Sequence, residues 1–254
     1  MRMAMKPQTS VLLVQVREPG DTMITHEQDC ISRRFQNCNV TLKCENALAG
    51  KAQESWLDGI DALLIGGSGS YSVHDVRSNN FSTPLHDLLD LALERKLPGF
   101  GLCFGHQLLG QHLGAKIETR ADFSEIGTVA YELTESGIND PVFSSLEPSF
   151  HAQTGHTDAV ISVPAGATLL AHNPQLNTQA FKVDGCPFYS TQFHPDLTGF
   201  EARARYLALQ EGLSDVNSEA TRDKVERFVT GSDSTQDLLA HFIEVTVHGE
   251  VDTP

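Results

Sequence analysis

At 254 residues the chain is long enough for one large domain with its own core. It is 40% hydrophobic and 20% charged, with 20 glycines and 11 prolines, which excludes collagenous, low-complexity and disordered classes. Eighteen Lys and Arg against 33 Asp and Glu leave a net charge of −15, which argues against a nucleic-acid surface, because such surfaces need basic side chains to displace counterions.

The opening residues, through Lys6, are too short and polar for a signal segment, and the first apolar run, Val11 to Val16, is strand-sized. No run reaches the roughly 20 apolar residues of a spanning helix, so we expect neither export nor membrane insertion. A weakly amphipathic helix follows over Asp21 to Phe35, carrying Ile24, Ile31 and Phe35, then a strand near Val40 to Cys44. Asp61 to Ile65 predicts another strand, running into a loop of small residues, Gly66 to Ser70, where open α/β sheets build their sites. Thr83-Pro84 is expected to open a helix with proline in its first turn and Leu85, Leu88, Leu89 and Ala92 on one face. Leu97 to Leu102 reads as a strand, and Phe104 starts a helix at once.

From Gly127 to Phe193 the texture changes to short strands between turn residues, over Thr128 to Leu133, Ala159 to Val163, Thr168 to Ala171, Gln179 to Val183 and Phe188 to Phe193. This half is expected to be more antiparallel. The last segment reads as helical, with Val225, Phe228 and Val229 at i, i+3, i+4, then Leu238, Leu239, Phe242 and Ile243 after a capping box from Ser234 to Asp237. No internal repeat is visible.

Two motifs carry chemistry. Gly101-Leu-Cys103-Phe-Gly105 has the logic of a nucleophile elbow: a strand runs into a reactive residue, a helix follows at once, and glycines at both flanks leave room for neighbouring chain. A thiol at a helix N-terminus is stabilised as thiolate by unpaired N–H groups and the helix dipole. Taken alone, such a residue also reads as a buried free cysteine. Gln192-Phe-His194-Pro-Asp196 places His194 and Asp196 two apart at a strand end, so both project to one face. A carboxylate on one imidazole nitrogen leaves the other free to take a thiol proton and return it to a leaving amine. Taken alone, His-Pro-Asp also reads as a turn.

The remaining cysteines, Cys30, Cys38, Cys44 and Cys186, complete an odd set of five with no C-x-x-C pair. Neither a disulfide framework nor a zinc ribbon is indicated, a reducing cytoplasmic location fits, and no metal or cofactor is expected. Gly66 to Ser70 is not a nucleotide P-loop, since no Gly-Lys-Ser/Thr follows.

The sequence Gly101-x-Cys103-x-Gly105-x-Gln107, then Gly155-His156-Thr157-Asp158, then Gln192-Phe193-His194-Pro195 resembles the class I (triad) glutamine amidotransferases over roughly Val11 to Asp196. Within that family it is similar to stand-alone proteins like the amidotransferase domain of GMP synthase. The resemblance implies a flavodoxin-like three-layer α/β/α sandwich with a central mixed sheet, residues 1–200 forming the amidotransferase domain and residues 201–254 a helical extension of it. It implies that Cys103 attacks the side-chain amide of L-glutamine, giving a γ-glutamyl thioester and ammonia, with His194 and Asp196 completing the triad. It places the oxyanion donors at Gly67 and Phe104 and glutamine-binding positions at Gly66, Gln107, His156 and Asp158.

The family usually has glutamate where this chain has Asp196, so the shorter carboxylate is expected to reach the imidazole only through a backbone shift or a bridging water. The family's synthetase domain has no counterpart after Asp196, so ammonia would pass to a synthetase subunit in trans or to an unidentified acceptor. Two other readings stay open at this point: a hydrolase of another γ-glutamyl compound, and a catalytically silent module that keeps the fold.

Overall fold

The computed structural model describes residues 8–74, 79–211, 218–231 and 234–249; the opening stretch through Lys6 lies outside them. The first strand, β1 (Thr9–Gln15), is buried on both faces, which is why it reads as a continuous apolar run. Val11 and Leu13 enter one core cluster, while Leu12 and Val14 enter the other. Helix α1 (Met23–Arg34) leads to β2 (Val40–Asn46). Strand β3 (Ala62–Ile65), helix α2 (Asn79–Glu94), strand β4 (Gly99–Leu102) and helix α3 (Phe104–His112) follow.

The second half contains β5 (Ile117–Thr119), β6 (Glu125–Leu133), the single turn α4 (Glu135–Ile138), β7 (Ser149–His156), β8 (Asp158–Val160), β9 (Ala167–His172), β10 (Ala180–Val183) and β11 (Phe188–Thr191). Helices α5 (Gly199–Glu211), α6 (Glu219–Glu226) and α7 (Leu238–Thr246) close the chain.

Nine strands form one sheet in the order β2-β1-β3-β4-β11-β10-β9-β6-β7. The strands β2, β1, β3, β4 and β11 run parallel, and from β11 outward every pairing is antiparallel. The sheet is therefore mixed: β6, β7, β9 and β10 of the second half pair antiparallel as expected, while β11 of that half also pairs parallel with β4. Strands β5 and β8 pair separately as a small antiparallel ribbon.

One face of the sheet is covered by Phe81, Leu85, Leu88, Leu89 and Ala92 of α2 and Phe104, Leu108 and Leu109 of α3. The other face is covered by Ile31 of α1 and by Leu238, Leu239, Phe242 and Ile243 of α7. Phe242 meets Phe100 and Tyr189 edge-on at ring separations of 5.3 and 5.9 Å. Helices on both faces make this the flavodoxin-like three-layer α/β/α sandwich the sequence implied, with C-terminal helices packed on the same core.

Several boundaries differ from the sequence reading. Helix α2 starts at Asn79, so Pro84 lies inside it and removes one backbone donor instead of opening the helix. The capping box at Ser234 does not start a helix: residues 234–237 form a turn and α7 begins at Leu238. Helix α6 ends at Glu226, before Phe228 and Val229, because the chain there leaves the helix to bond with β6. Phe228 is buried and Val229 exposed. Strands β5 and β7 and helix α5 have no separate signal in the sequence. None of the described helices is long and apolar enough to cross a membrane.

Candidate active site

The site begins at the junction of β4 and α3. Cys103 takes φ +50° and ψ −94°, a conformation L-residues rarely adopt, and its amide donates to the Thr191 carbonyl at 2.8 Å. The amide of Gln107 donates back to the Cys103 carbonyl at 3.0 Å, starting the helix with Cys103 as its N-cap. Both flanking glycines are required sterically. A Cβ at Gly101 would lie 2.7 Å from the Gly105 carbonyl, and one at Gly105 would lie 2.4 Å from the Ile65 carbonyl. Both obstacles are backbone and cannot swing away. Gly105→Ala is accordingly expected to lower the unfolding free energy by about 2–3 kcal/mol in denaturant titrations, the scale of overpacking a tight core.

His194 follows β11 and is tied by its amide to the Gln153 carbonyl of β7 at 2.8 Å. Its Nδ1 lies 3.0 Å from Asp196 Oδ1, and Asp196 is fully buried. The shorter carboxylate therefore reaches the imidazole directly, and the contact needs no bridging water. Its other oxygen accepts from Arg205 Nη1 of α5 at 3.1 Å. Burial alone would raise the Asp196 pKa, but Arg205 and His194 hold it well below the usual carboxylate range. For His194, burial opposes the charge, yet Asp196 and then Cys103 push the imidazole up to about 9.

The loop after β3 lies against this pair. A Cβ on Gly67 would sit 3.1 Å from His194 Cε1 and 3.8 Å from Cys103 Cβ, so the loop lies against both residues and a side chain there would press on the imidazole. The loop is packed on its other sides as well. A Cβ at Gly66 would meet Glu27 Oε1 at 2.7 Å, and one at Gly69 would meet Leu209 Cδ2 of α5 at 2.2 Å. Phe104 supplies the first backbone N–H of α3, one of those for which a helix offers no internal acceptor.

Gln107, Gln192 and Asp158 form one buried chain of hydrogen bonds. Gln192 Nε2 donates to Cys103 Sγ at 3.5 Å, and its Oε1 accepts from Gln107 Nε2 at 3.1 Å. Gln107 Nε2 also donates to the Asp158 carbonyl at 2.9 Å. The Asp158 carboxylate accepts from Thr119 Oγ1 at 2.5 Å across the β5–β8 ribbon. His156 is committed elsewhere: Nδ1 lies 3.0 Å from the Asp158 carbonyl and Nε2 3.1 Å from Glu125 Oε2. Both ring nitrogens are thus engaged within the protein, so His156 supports the Asp158 turn instead of presenting a free nitrogen.

Glu125 is the hub of that support. It takes His156, Gln179 Nε2 at 2.5 Å and Asn173 Nδ2 at 2.6 Å. Burial pushes its carboxyl pKa up, but these donors more than offset that and leave it lowered. Glu125→Ala strips a buried acceptor from three donors and is expected to cost about 3 kcal/mol in denaturant unfolding.

The sequence reading assigned no role to Arg205, Glu27 or the side chain of Gln192. Arg205 carried a faint signal: a fully buried acid near an imidazole needs a cation, and nine residues after Asp196 is within reach along α5. Glu27 carried none, since it looks like any polar residue of a weakly amphipathic helix.

A thiol on a strand-to-helix elbow thus stands beside a His-Asp pair on a flavodoxin-like sandwich, an arrangement that has the parts for acyl transfer. The family model for class I glutamine amidotransferases matches residues 26–211, and the chain belongs to that family. Among curated relatives, a glutamine-hydrolyzing GMP synthase subunit of Sulfurisphaera tokodaii is 33% identical over 137 residues, covering 54% of this chain and 68% of that protein. The same subunit of Methanocaldococcus jannaschii is 35% identical over 115 residues, covering 44% of this chain and 58% of that protein. Among solved structures, a glutamine amidotransferase of Thermotoga maritima aligns with a TM-score of 0.76 at 19% identity, covering 95% of this chain and 99% of its own. A glutamine amidotransferase of Methylobacillus flagellatus aligns at 0.66 and 16%, covering 98% of both chains. At such identities these structures speak for the fold alone.

Proposed function

We propose that the chain hydrolyses the side-chain amide of L-glutamine through a γ-glutamyl thioester on Cys103 and delivers the ammonia to an acceptor on a separate synthetase subunit. The observation that carries the reading is the juxtaposition of Cys103, at φ +50° on the elbow, with the His194 ring, which meets its side chain and is anchored by Asp196 at 3.0 Å. In this reading His194 takes the Cys103 proton and the thiolate attacks the amide carbon. The oxyanion that forms is met by the Phe104 and Gly67 N–H groups. As the tetrahedral species collapses, His194 gives its proton to the departing ammonia. Water, activated by the same imidazole, then cleaves the thioester to glutamate and frees the thiol.

Asp158 is the candidate acceptor for the substrate's α-ammonium group, and Gly66 is the candidate contact for its side chain. Gln107 and Gln192 act by holding the Asp158 carbonyl and the Cys103 sulfur in register, and His156 by anchoring the Asp158 turn. The two relatives carry the names of subunits of glutamine-hydrolyzing GMP synthases, which supports a synthetase in trans as the ammonia acceptor. Residues 201–254 fit the role of an extension of the catalytic domain, because α5 brings Arg205 to Asp196.

The test is release of glutamate and ammonia from L-glutamine by the purified protein, with and without the synthetase component of a GMP synthase. Equimolar products, abolished in Cys103→Ala, are expected. Release of glutamate from another γ-glutamyl compound in preference to glutamine would replace this reading with a γ-glutamyl hydrolase. The absence of turnover under every condition would leave a silent module.

A further inference from the structure

The Gly67 amide, needed above as an oxyanion donor, is already occupied: it donates to Glu27 Oε1 of α1 at 3.3 Å. We propose that Glu27 is a positioning residue that holds the oxyanion loop in a resting state, and that turnover requires the Gly67 N–H to exchange Glu27 for the oxyanion. The proposal rests on the reading of Cys103 as the nucleophile.

Glu27 is fully buried and fixed from other directions. Arg17 Nε donates to Oε2 and Nη2 to Oε1, both at 3.3 Å, and Gln15 Nε2 donates to Oε2 at 2.9 Å. The carboxylate is thus anchored to β1 and the chain just after it, and cannot follow the loop. Within the packed loop, the one peptide between Gly66 and Gly67 is the part that can turn. The peptide bearing the Gly67 N–H lies between two glycines, so its plane turns through backbone angles that no side chain restricts. Gly66 also lets that peptide lie against the carboxylate, since a Cβ there would stand 2.7 Å from Oε1.

The acceptor is a carboxylate, but at 3.3 Å the bond is long for a charge-assisted one, so an oxyanion can displace it. In the resting state the developing negative charge would find the Phe104 N–H alone, and a missing oxyanion donor costs about 10²–10³ in kcat. Glu27 is also linked to the triad through Arg205, whose charge acts on both Glu27 and Asp196. The latch and the imidazole anchor thus share one buried cation.

The test is glutaminase kinetics of Glu27→Gln, which keeps the shape and removes the charge. The expected result is a kcat about three- to tenfold higher than wild type with KM within twofold, although the variant melts lower for want of the Arg17 ion pair. A residue that merely supports the fold would lower kcat together with stability. An unchanged or reduced kcat in a folded variant overturns the proposal.

Should Glu27→Gln not fold, the wild-type protein decides by amide NMR with the γ-semialdehyde of glutamate, whose thiol adduct presents a tetrahedral oxygen. The Gly67 amide proton is expected to shift strongly on adduct formation, and an unmoved resonance overturns the latch. Intact-mass detection of the adduct on Cys103 reports separately on the nucleophile, so a failed latch and a failed nucleophile are told apart.

Discussion

Replacing Cys103 by alanine is expected to lower glutamate release from L-glutamine by at least about 10⁴-fold, with folding retained. The size follows from the chemistry: without the nucleophile no thioester forms, and only oxyanion donors and binding remain, which in acyl-transfer enzymes leave a small residue of catalysis. Retained folding follows from the position. Cys103 bears a strained backbone because Gly101 and Gly105 frame it and its amide is held by Thr191, none of which depends on the thiol. Cys103→Ser separates the two effects further, since it keeps the shape and a proton for His194 but offers a much weaker nucleophile. Circular dichroism and melting alongside the rate assay check both statements.

The second large effect concerns Asp196, the acid of the proposed triad. Asp196→Asn is expected to lower kcat/KM by about 10³–10⁴-fold, the scale of losing the imidazole's carboxylate partner in a comparable triad. It also moves the pH profile in a direction fixed by charge. In the wild-type protein His194 is held at about 9 because Asp196 and Cys103 favour its charged form over the burial that opposes it. The alkaline limb of kcat/KM is therefore expected near pH 9, where the imidazolium that protonates departing ammonia is lost. Removing the Asp196 charge lowers the proton affinity of His194, so the limb moves to lower pH. Asp196→Glu gives a sharper check: the aspartate already touches His194 and Arg205 inside a fully buried pocket, so an added methylene has no space to enter. A rate below wild type is expected, whereas a higher rate would mean that the short carboxylate limits the triad.

Much of the framework was legible because local chemistry dictated it. The unbroken apolar run of β1 spoke of a strand covered on both faces, and Leu238, Leu239, Phe242 and Ile243 marked a helix packed on the core. The elbow was legible because glycines at Gly101 and Gly105 admit backbone that no side chain could tolerate. What stayed hidden depends on packing between distant segments. Helix α5 inverts the usual pattern, exposing Phe200 and Leu207 while burying Arg205, so no apolar face announced it. Arg205 is buried because Asp196 needs a counter-charge, a need that exists only once α5 folds across the site.

Glu27 and Arg17 likewise acquire meaning only as a buried pair beneath the Gly66–Gly67 turn. The loop showed in sequence only as small residues after a strand, and that Glu27, His194 and Leu209 press on three of its glycines is seen only in the fold. The pairing of His156 with Glu125, 31 positions earlier, could not be foreseen from a substrate-binding motif.

The most direct test of the account is labelling with a diazo-ketone analogue of L-glutamine, followed by peptide mass analysis. Stoichiometric alkylation of Cys103, slowed by added L-glutamine and much slower in His194→Ala, is the predicted result. Labelling that L-glutamine does not slow, or that falls on another cysteine, would contradict the assignment of Cys103 as the thiol that attacks glutamine.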